Sequence, residues 1–143
     1  MAQKFEVSLL IIRVVLGVTF LIHGIDKFQM GLGNVAGWFE SIGIMGFFGY
    51  VVASIELVGG IALILGVGTR IISALIGFIM LGAIFMVKLP LGFMGAEAAA
   101  GYELDIALLA MAAALVISGS KLLALDNKFF GNKNENSSTR ISA

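Results

Sequence analysis

The chain has 143 residues, of which 59% are hydrophobic and 13% are charged, and its mean hydropathy is +1.06. Soluble domains carry about 25% charged residues, so this composition excludes an ordinary soluble fold and predicts an integral membrane protein. The net charge is zero, which gives no basic surplus for nucleic acid. Cysteine is absent, which excludes disulfides, thiol redox chemistry and cysteine-ligated Fe–S clusters.

Four apolar segments are predicted to be membrane-spanning helices, since about 20 apolar residues cross a bilayer as a helix. They are residues 6–26, 46–66, 70–89 and 102–119. None alternates in the way that β-barrel strands do. The sequence therefore predicts an all-α, four-helix transmembrane bundle in residues 1–126. The polar tail at 127–143 is expected to be disordered.

The first two spans are joined by "GLGNVAGWFESIGI", which carries Trp38. Aromatic residues favour the headgroup level of a membrane, so we expect a short interfacial helix near residues 34–42. Four spans place both termini on one side, which carries six Lys and Arg residues against two on the other. The positive-inside rule then predicts a multi-pass protein of the cell membrane with both termini in the cytoplasm.

Two ionisable residues, Arg13 and Glu56, lie deep inside predicted spans, away from the span ends. Such a residue costs about 2.5–3.5 kcal/mol at mid-membrane on insertion scales and must face the bundle interior. We expect an Arg13–Glu56 ion pair, because it satisfies both charges where water is scarce. Two interpretations stay open: the pair fixes the register of two helices, or it borders a substrate cavity.

A second group of ionisable residues falls at the outer ends of three spans. Its members are His23, Asp26, Lys27, Lys88, Glu103 and Asp105. They either extend to water at the boundary or form a polar site. A metal site built from His23 and the three carboxylates is conceivable, but the spacing is not diagnostic, and no metal is assigned.

Five motifs occur in a fixed order: "RVVLG", "HGIDKF", "ELVGGIALILGVGTR", "YELD" and "GSKLLALD". Together they resemble the DoxX family of small four-helix membrane proteins, over residues 5 to 126. The likeness is greatest to members encoded with catechol and quinone detoxification genes in Gram-positive bacteria. The resemblance implies a membrane oxidoreductase or a subunit of one. The positions that match the family pattern are Arg13, Gly17, His23, Gly24, Lys27, Glu56, Gly60, Gly66, Arg70 and Glu103. The first carboxylate of the fourth helix varies in placement within the family, so Glu103 and Asp105 stay open as alternatives.

The first functional hypothesis is therefore a protein that handles quinones or catechols at the membrane. A quinone carbonyl needs hydrogen-bond donors, and its reduction needs protons. The expected cavity opens toward the outer leaflet and is lined by Arg13, His23, Glu56 and Glu103. Candidate catalytic residues are His23, Glu56 and Glu103, and candidate substrate-binding residues are Arg13, Lys27, Lys88 and Asp105.

The sequence contains no flavin, nicotinamide or metal motif, so no cofactor is assigned. Electrons would come from a redox partner protein or a soluble reductant. The expected partners are the lipid bilayer, a quinone or catechol-like molecule, and a redox partner or a second copy of the chain.

Two alternatives belong to other functional classes. A small proton-coupled exporter would use Glu56 as its mid-membrane carboxylate, but an Arg13 partner and the six-to-two charge bias argue against it. A non-catalytic scaffold would hold a redox partner at the membrane, and the missing cofactor motif favours it. A pocket with measurable quinone affinity would favour the first hypothesis over the scaffold.

Overall fold

The apolar stretches form long helices in the computed structural model, which describes residues 1–130. The helices are α1 (Ala2–Met30), α2 (Leu32–Ser41), α3 (Phe47–Leu65), α4 (Thr69–Ala83), α5 (Glu103–Ser118) and α6 (Leu125–Phe130). A π-helical turn, Ile84–Lys88, and a 3₁₀ turn, Leu89–Leu91, continue α4. Two short strands, β1 (Gly95–Ala96) and β2 (Ala99–Ala100), pair antiparallel before α5.

Within the described residues, three helical stretches are long and apolar enough to cross a membrane: Ala2–Met30, Phe47–Leu65 and Thr69–Leu91. The fourth long helix, α5, has 16 residues, which corresponds to about 24 Å. It packs against α4 and α1 and completes the bundle. The prediction of an all-α, four-helix membrane protein is confirmed, with a fourth helix shorter than the ~30 Å hydrocarbon core.

The segments between the long helices differ from the expectation in detail. The short helix expected near 34–42 is α2, which lies against α3 at Gly49, where an added Cβ would lie 3.1 Å from Ala36 Cα. The β1–β2 hairpin was not predicted. Helix α6 includes the first residues of the predicted tail at 127–143, and residues 131–143 lie outside the described part of the chain.

Glycines bring α1 and α3 into close antiparallel contact. An added Cβ on Gly24 would lie 2.5 Å from Leu57 N, and one on Gly17 would lie 3.0 Å from Ile64 N. Gly60 meets the backbone of Leu21 in the same way. Small residues let membrane helices approach until their backbones touch. These contacts fix the register of the two helices.

The buried core lies among α1, α3, α4 and α5. Leu16, Leu63, Ile76, Ala112 and Leu115 have no exposed surface. We call the bundle end with the start of α1 and the α3–α4 turn the proximal end, and the end with α2 and the hairpin the distal end. The core fills the bundle up to the distal half, where it gives way to a cavity.

Candidate functional site

A cavity of about 700 Å³ occupies the distal half of the bundle. Its walls come from α1, α3, α4 and α5, and α2 lies across its distal side. Most of the lining is apolar, including Phe20, Trp38, Phe39, Phe48 and Phe78. The ionisable side chains in the wall are His23, Lys27, Glu56, Lys88 and Asp105. An apolar pocket with a few convergent polar groups is typical of a small-molecule site.

The first polar group of the wall is an ion pair between α1 and α3. Lys27 Nζ lies 2.7 Å from Glu56 Oε2, and Glu56 is only 4% exposed. Apart from this ion pair, Oε2 has no hydrogen-bond partner among the described residues. The close approach at Gly24, one turn before Lys27, brings the two side chains within reach.

A second ion pair joins α4 to α5 on the other side of the cavity. Lys88 Nζ lies 2.7 Å from Asp105 Oδ2, and Asp105 is buried. Lys88 is the last residue of the π-helical turn. Pro90 lies two residues later and has no N–H to extend the α-helical hydrogen bonding. Because π turns frequently occur at functional sites, this local change of winding supports a role for Lys88 in the cavity.

His23 is the third polar element of the wall. Its ring centroid lies 6.2 Å from that of Phe20, and the side chain is exposed. It makes no ion pair or hydrogen bond to another described residue, so both ring nitrogens are available to a ligand or to water. An imidazole can donate or accept a proton.

The expected Arg13–Glu56 ion pair is wrong. The α1–α3 register puts Glu56 level with Ile25 but Arg13 level with Gly68, about 18 Å apart at ~1.5 Å per residue. Helix α1 extends beyond the proximal end of α3, and Arg13 lies on that extension. Lys27 is within one turn of the level of Glu56 and takes the place expected for Arg13.

Arg13 instead belongs to a polar cluster at the proximal end. It is 1% exposed and donates hydrogen bonds to Ser120 O (3.2 Å), Ser120 Oγ (3.2 Å) and Leu123 O (3.1 Å). Nearby, Asp126 Oδ2 accepts a hydrogen bond from Gly68 N at 2.7 Å. The motif "GSKLLALD" is thereby fastened to α1 and to the α3–α4 turn. In this structure Arg13 fixes the chain after α5 and does not line the distal cavity.

The structure also separates the two carboxylates of the motif "YELD". Asp105 is buried in the cavity wall, whereas Glu103 is exposed and lies outside the lining. Arg13 and Glu103, which were expected to line the cavity, therefore lie outside its wall, whereas His23 and Glu56 lie in it. Asp26 is exposed and does not line the cavity. Within residues 1–130, no three His, Asp or Glu side chains are grouped closely enough to hold a metal ion.

Sequence reasoning missed the contribution of α2 and of α4 to the cavity. The sequence predicts Trp38 only as an interfacial aromatic residue, whereas in the structure Trp38 and the neighbouring Phe39 both form cavity wall. Glycines within a span usually allow close helix packing, yet nothing lies within 4 Å of an added Cβ on Gly82. Pro90, two residues after Lys88, indicated that α4 ends irregularly, but it did not indicate the direction in which the Lys88 side chain points.

Comparisons with known proteins agree with this architecture. The family model described as DoxX matches residues 8–89. The chain is 42% identical over 137 residues to the protein named "Putative oxidoreductase CatD" of Bacillus subtilis (strain 168), covering 95% of this chain and 98% of that one. It is 38% identical over 100 residues to the "Uncharacterized membrane protein Rv3486" of Mycobacterium tuberculosis, covering 63% of this chain and 59% of that one. No solved structure matches the chain.

The match to the family model spans α1 through α4, which supply most of the cavity wall. The full-length similarity to CatD adds α5 and with it Asp105. The resemblance seen in the motifs is confirmed, and the chain belongs to the DoxX family.

Proposed function

We propose that this chain is a membrane oxidoreductase, or the quinone-binding subunit of one, that binds a quinone or catechol-type ring in the distal cavity. The observation that carries the proposal is the pairing of two lysine–carboxylate ion pairs with an otherwise apolar cavity wall. The apolar lining suits an aromatic ring. The ammonium and carboxylate groups of the wall can hydrogen-bond to the oxygen atoms of the ring.

Each polar group has a defined role in this proposal. The ammonium groups of Lys27 and Lys88 donate hydrogen bonds to quinone carbonyl oxygens. The carboxylates of Glu56 and Asp105 accept hydrogen bonds from the hydroxyls of the diphenol form. His23 exchanges protons between the ligand and water. Both redox forms of the ligand thus find partners in the same wall.

The proposed reaction is the reduction of the quinone to the diphenol, which consumes two electrons and two protons. His23, which is exposed, takes up the protons from water and delivers them to the ligand. A redox partner protein or a soluble reductant supplies the electrons. The name of CatD as an oxidoreductase supports this reaction class, and the proposed role is protection of the cell from reactive quinones. We further propose that the proximal end, with both termini, faces the cytoplasm.

The ion pairs bear on the exporter hypothesis. A proton-coupled exporter of this size needs a carboxylate that is free to exchange its proton with water and substrate. Glu56 is instead buried against the Lys27 ammonium. This pairing favours a binding role for Glu56 over proton-coupled export.

Trp38 provides a direct test, because it is the chain's only tryptophan and lines the cavity. Menadione or catechol is titrated into protein purified in detergent, and quenching of Trp38 fluorescence is measured. We expect saturable quenching. Glu56→Gln should weaken catechol binding by about 10- to 100-fold, since a hydrogen bond to a charged group contributes ~1.5–3 kcal/mol.

Glu103→Gln is the matched control, because Glu103 is a carboxylate near the same end that lies outside the cavity. It should bind both ligands as the unaltered chain does. Quenching that does not saturate, or equal loss in both variants, would contradict the proposed site. The scaffold hypothesis would then be preferred, and its test is the isolation of a redox partner with the membrane-embedded protein.

A further inference from the structure

The cavity has a side on which α3 and α4 do not close against each other. At the proximal end of this pair, an added Cβ on Gly59 would lie 3.1 Å from Ile72 Cγ2, so the helices are in contact there. Farther along, Val52 on α3 and Ile79 and Gly82 on α4 line the cavity. The cavity therefore reaches between the distal parts of these two helices, and we call this space the gap between α3 and α4.

Gly82 lies at the middle of the α4 edge of this gap. Phe78 and Met86 lie one turn before and after it on the same stripe of the helix. Both line the cavity, and their side chains are 73% and 56% exposed on the surface of the bundle. The surface of a transmembrane bundle at this level is lipid. Phe78 is about 14 Å along α4 from Thr69 at ~1.5 Å per residue, near the middle of a ~30 Å hydrocarbon core.

Helix packing does not account for the glycine at this position. Gly17, Gly24 and Gly60 each press against backbone of the neighbouring helix, whereas nothing lies within 4 Å of an added Cβ on Gly82. Gly in a helix interior is also less favourable than Ala. The consequence of glycine here is open space between Phe78 and Met86.

The distal, water-facing side of the cavity is covered. Trp38 and Phe39 of α2, and Ile42 and Ile44 after it, lie across that side with apolar side chains. Helix α2 is held by its contact with α3 at Gly49. A ligand approaching from water meets this cover, whereas a ligand dissolved in the bilayer meets the gap between α3 and α4.

We propose that the ligand enters the cavity from the lipid, through the gap between α3 and α4, and that Gly82 sets the size of the apolar substituent that fits there. This inference rests on the proposed quinone-binding function. The cavity volume of about 700 Å³ lies well within the ~300–1,000 Å³ range of sites for drug-sized ligands. A bare single ring leaves much of it empty, and an apolar chain on the ring extends through the gap past Gly82.

The test compares two quinones with the same ring system: menadione, and its derivative with a decyl chain on the quinone ring. Saturable quenching of Trp38 is measured for each in lipid nanodiscs. Gly82→Phe should raise the Kd of the decyl derivative by about 10-fold or more, as steric changes in apolar pockets do, and leave that of menadione nearly unchanged. Leu81→Phe is the control, because Leu81 is the neighbouring residue and does not line the cavity.

The outcomes separate the two proposals. If neither quinone binds the unaltered protein, the proposed function is wrong. If both bind and Gly82→Phe affects both equally or neither, the quinone site stands and the role of Gly82 is overturned. The lipid route is supported if Gly82→Phe weakens binding of the decyl derivative alone and Leu81→Phe binds both quinones as the unaltered protein does.

The route can be measured without any quinone, because the chain has no cysteine. A nitroxide spin label is attached to Gly82→Cys and, as a lipid-facing reference, to Val58→Cys in nanodiscs, because Val58 is exposed on α3 and does not line the cavity. Collision rates with molecular oxygen, which concentrates in lipid, and with a water-soluble nickel chelate are compared by electron paramagnetic resonance. If both positions face lipid, the spin label at each should collide more often with oxygen than with the nickel chelate. A chelate-dominated signal at position 82 would overturn the proposed route.

Discussion

The buried Lys27–Glu56 ion pair predicts a specific asymmetry in stability. In Lys27→Met the carboxylate of Glu56 keeps 4% exposure and loses its ion-pair partner at 2.7 Å. Breaking a buried pair from one side costs ~3–5 kcal/mol. The Lys27 side chain is 20% exposed, so solvent screens part of the attraction and we expect about 3 kcal/mol.

The reverse change should cost less. In Glu56→Met the Lys27 ammonium is free to extend toward water along its flexible stem. The double variant, with Met at both positions, removes both charges and should recover most of the lost stability. It should still fail to bind quinone, because both polar partners of the ligand oxygens on that wall are gone.

The assay is reversible unfolding in mixed micelles by a denaturing detergent, followed by far-ultraviolet circular dichroism. Lys4→Met is the control, because Lys4 is exposed and its side chain makes no ion pair with another described residue. A Lys27→Met variant as stable as the control would refute the reasoning. So would a double variant as unstable as Lys27→Met alone.

Three further predictions follow from other contacts. Gly24→Ala should destabilise the protein by about 1–3 kcal/mol or more in the same unfolding assay, because its Cβ would meet the backbone of Leu57. Gly33→Ala is the control and should be neutral or slightly stabilising, because nothing lies close to an added Cβ there. Arg13→Met should lower stability by at least about 3 kcal/mol, because it removes three buried hydrogen bonds to a charged group, each worth ~1.5–3 kcal/mol. The Kd for quinone of the remaining folded protein should stay unchanged. In cells exposed to a toxic quinone, Asp105→Asn should abolish protection at normal membrane levels of the protein by immunoblot, and Glu103→Gln should protect fully.

The bundle itself was predictable because its signals are local. Each span is a continuous apolar run, and the bilayer turns such a run into a helix without reference to the rest of the chain. Trp38 in a short glycine-bounded segment likewise indicated α2. The approximate ends of the spans followed from the same runs, to within a few residues.

The partner of Glu56 was not predictable from depth along the spans. Comparing depths along the spans assumes that the centres of the two helices lie at the same level of the bundle. Helix α1 has 29 residues and α3 has 19, so their ends cannot both be level. The glycine contacts slide α3 toward the distal part of α1 and leave Arg13 beyond its end. Register depends on which surfaces interlock in three dimensions, and the sequence shows only that glycines are present on each helix.

The choice between Glu103 and Asp105 failed for a related reason. Two carboxylates two positions apart on a helix point about 200° apart around its axis, so one faces the bundle when the other faces away. Which one faces inward depends on the rotation of α5 against α4. The position of Lys88 depends in addition on the π turn, whose altered winding the apolar pattern does not reveal.

The distribution of polar groups explains how one small bundle combines rigidity with a cavity. Helices α1 and α3 form one closely packed pair and α4 and α5 another, and each pair carries its own lysine–carboxylate ion pair in the distal half. At the proximal end, Arg13 and Asp126 fasten the chain after α5 to α1 and to the α3–α4 turn. The pairs are therefore held together at one end and separated at the other. A ligand between the two ion pairs would contact both helix pairs at once, so its binding should depend on the distance between the pairs at the distal end.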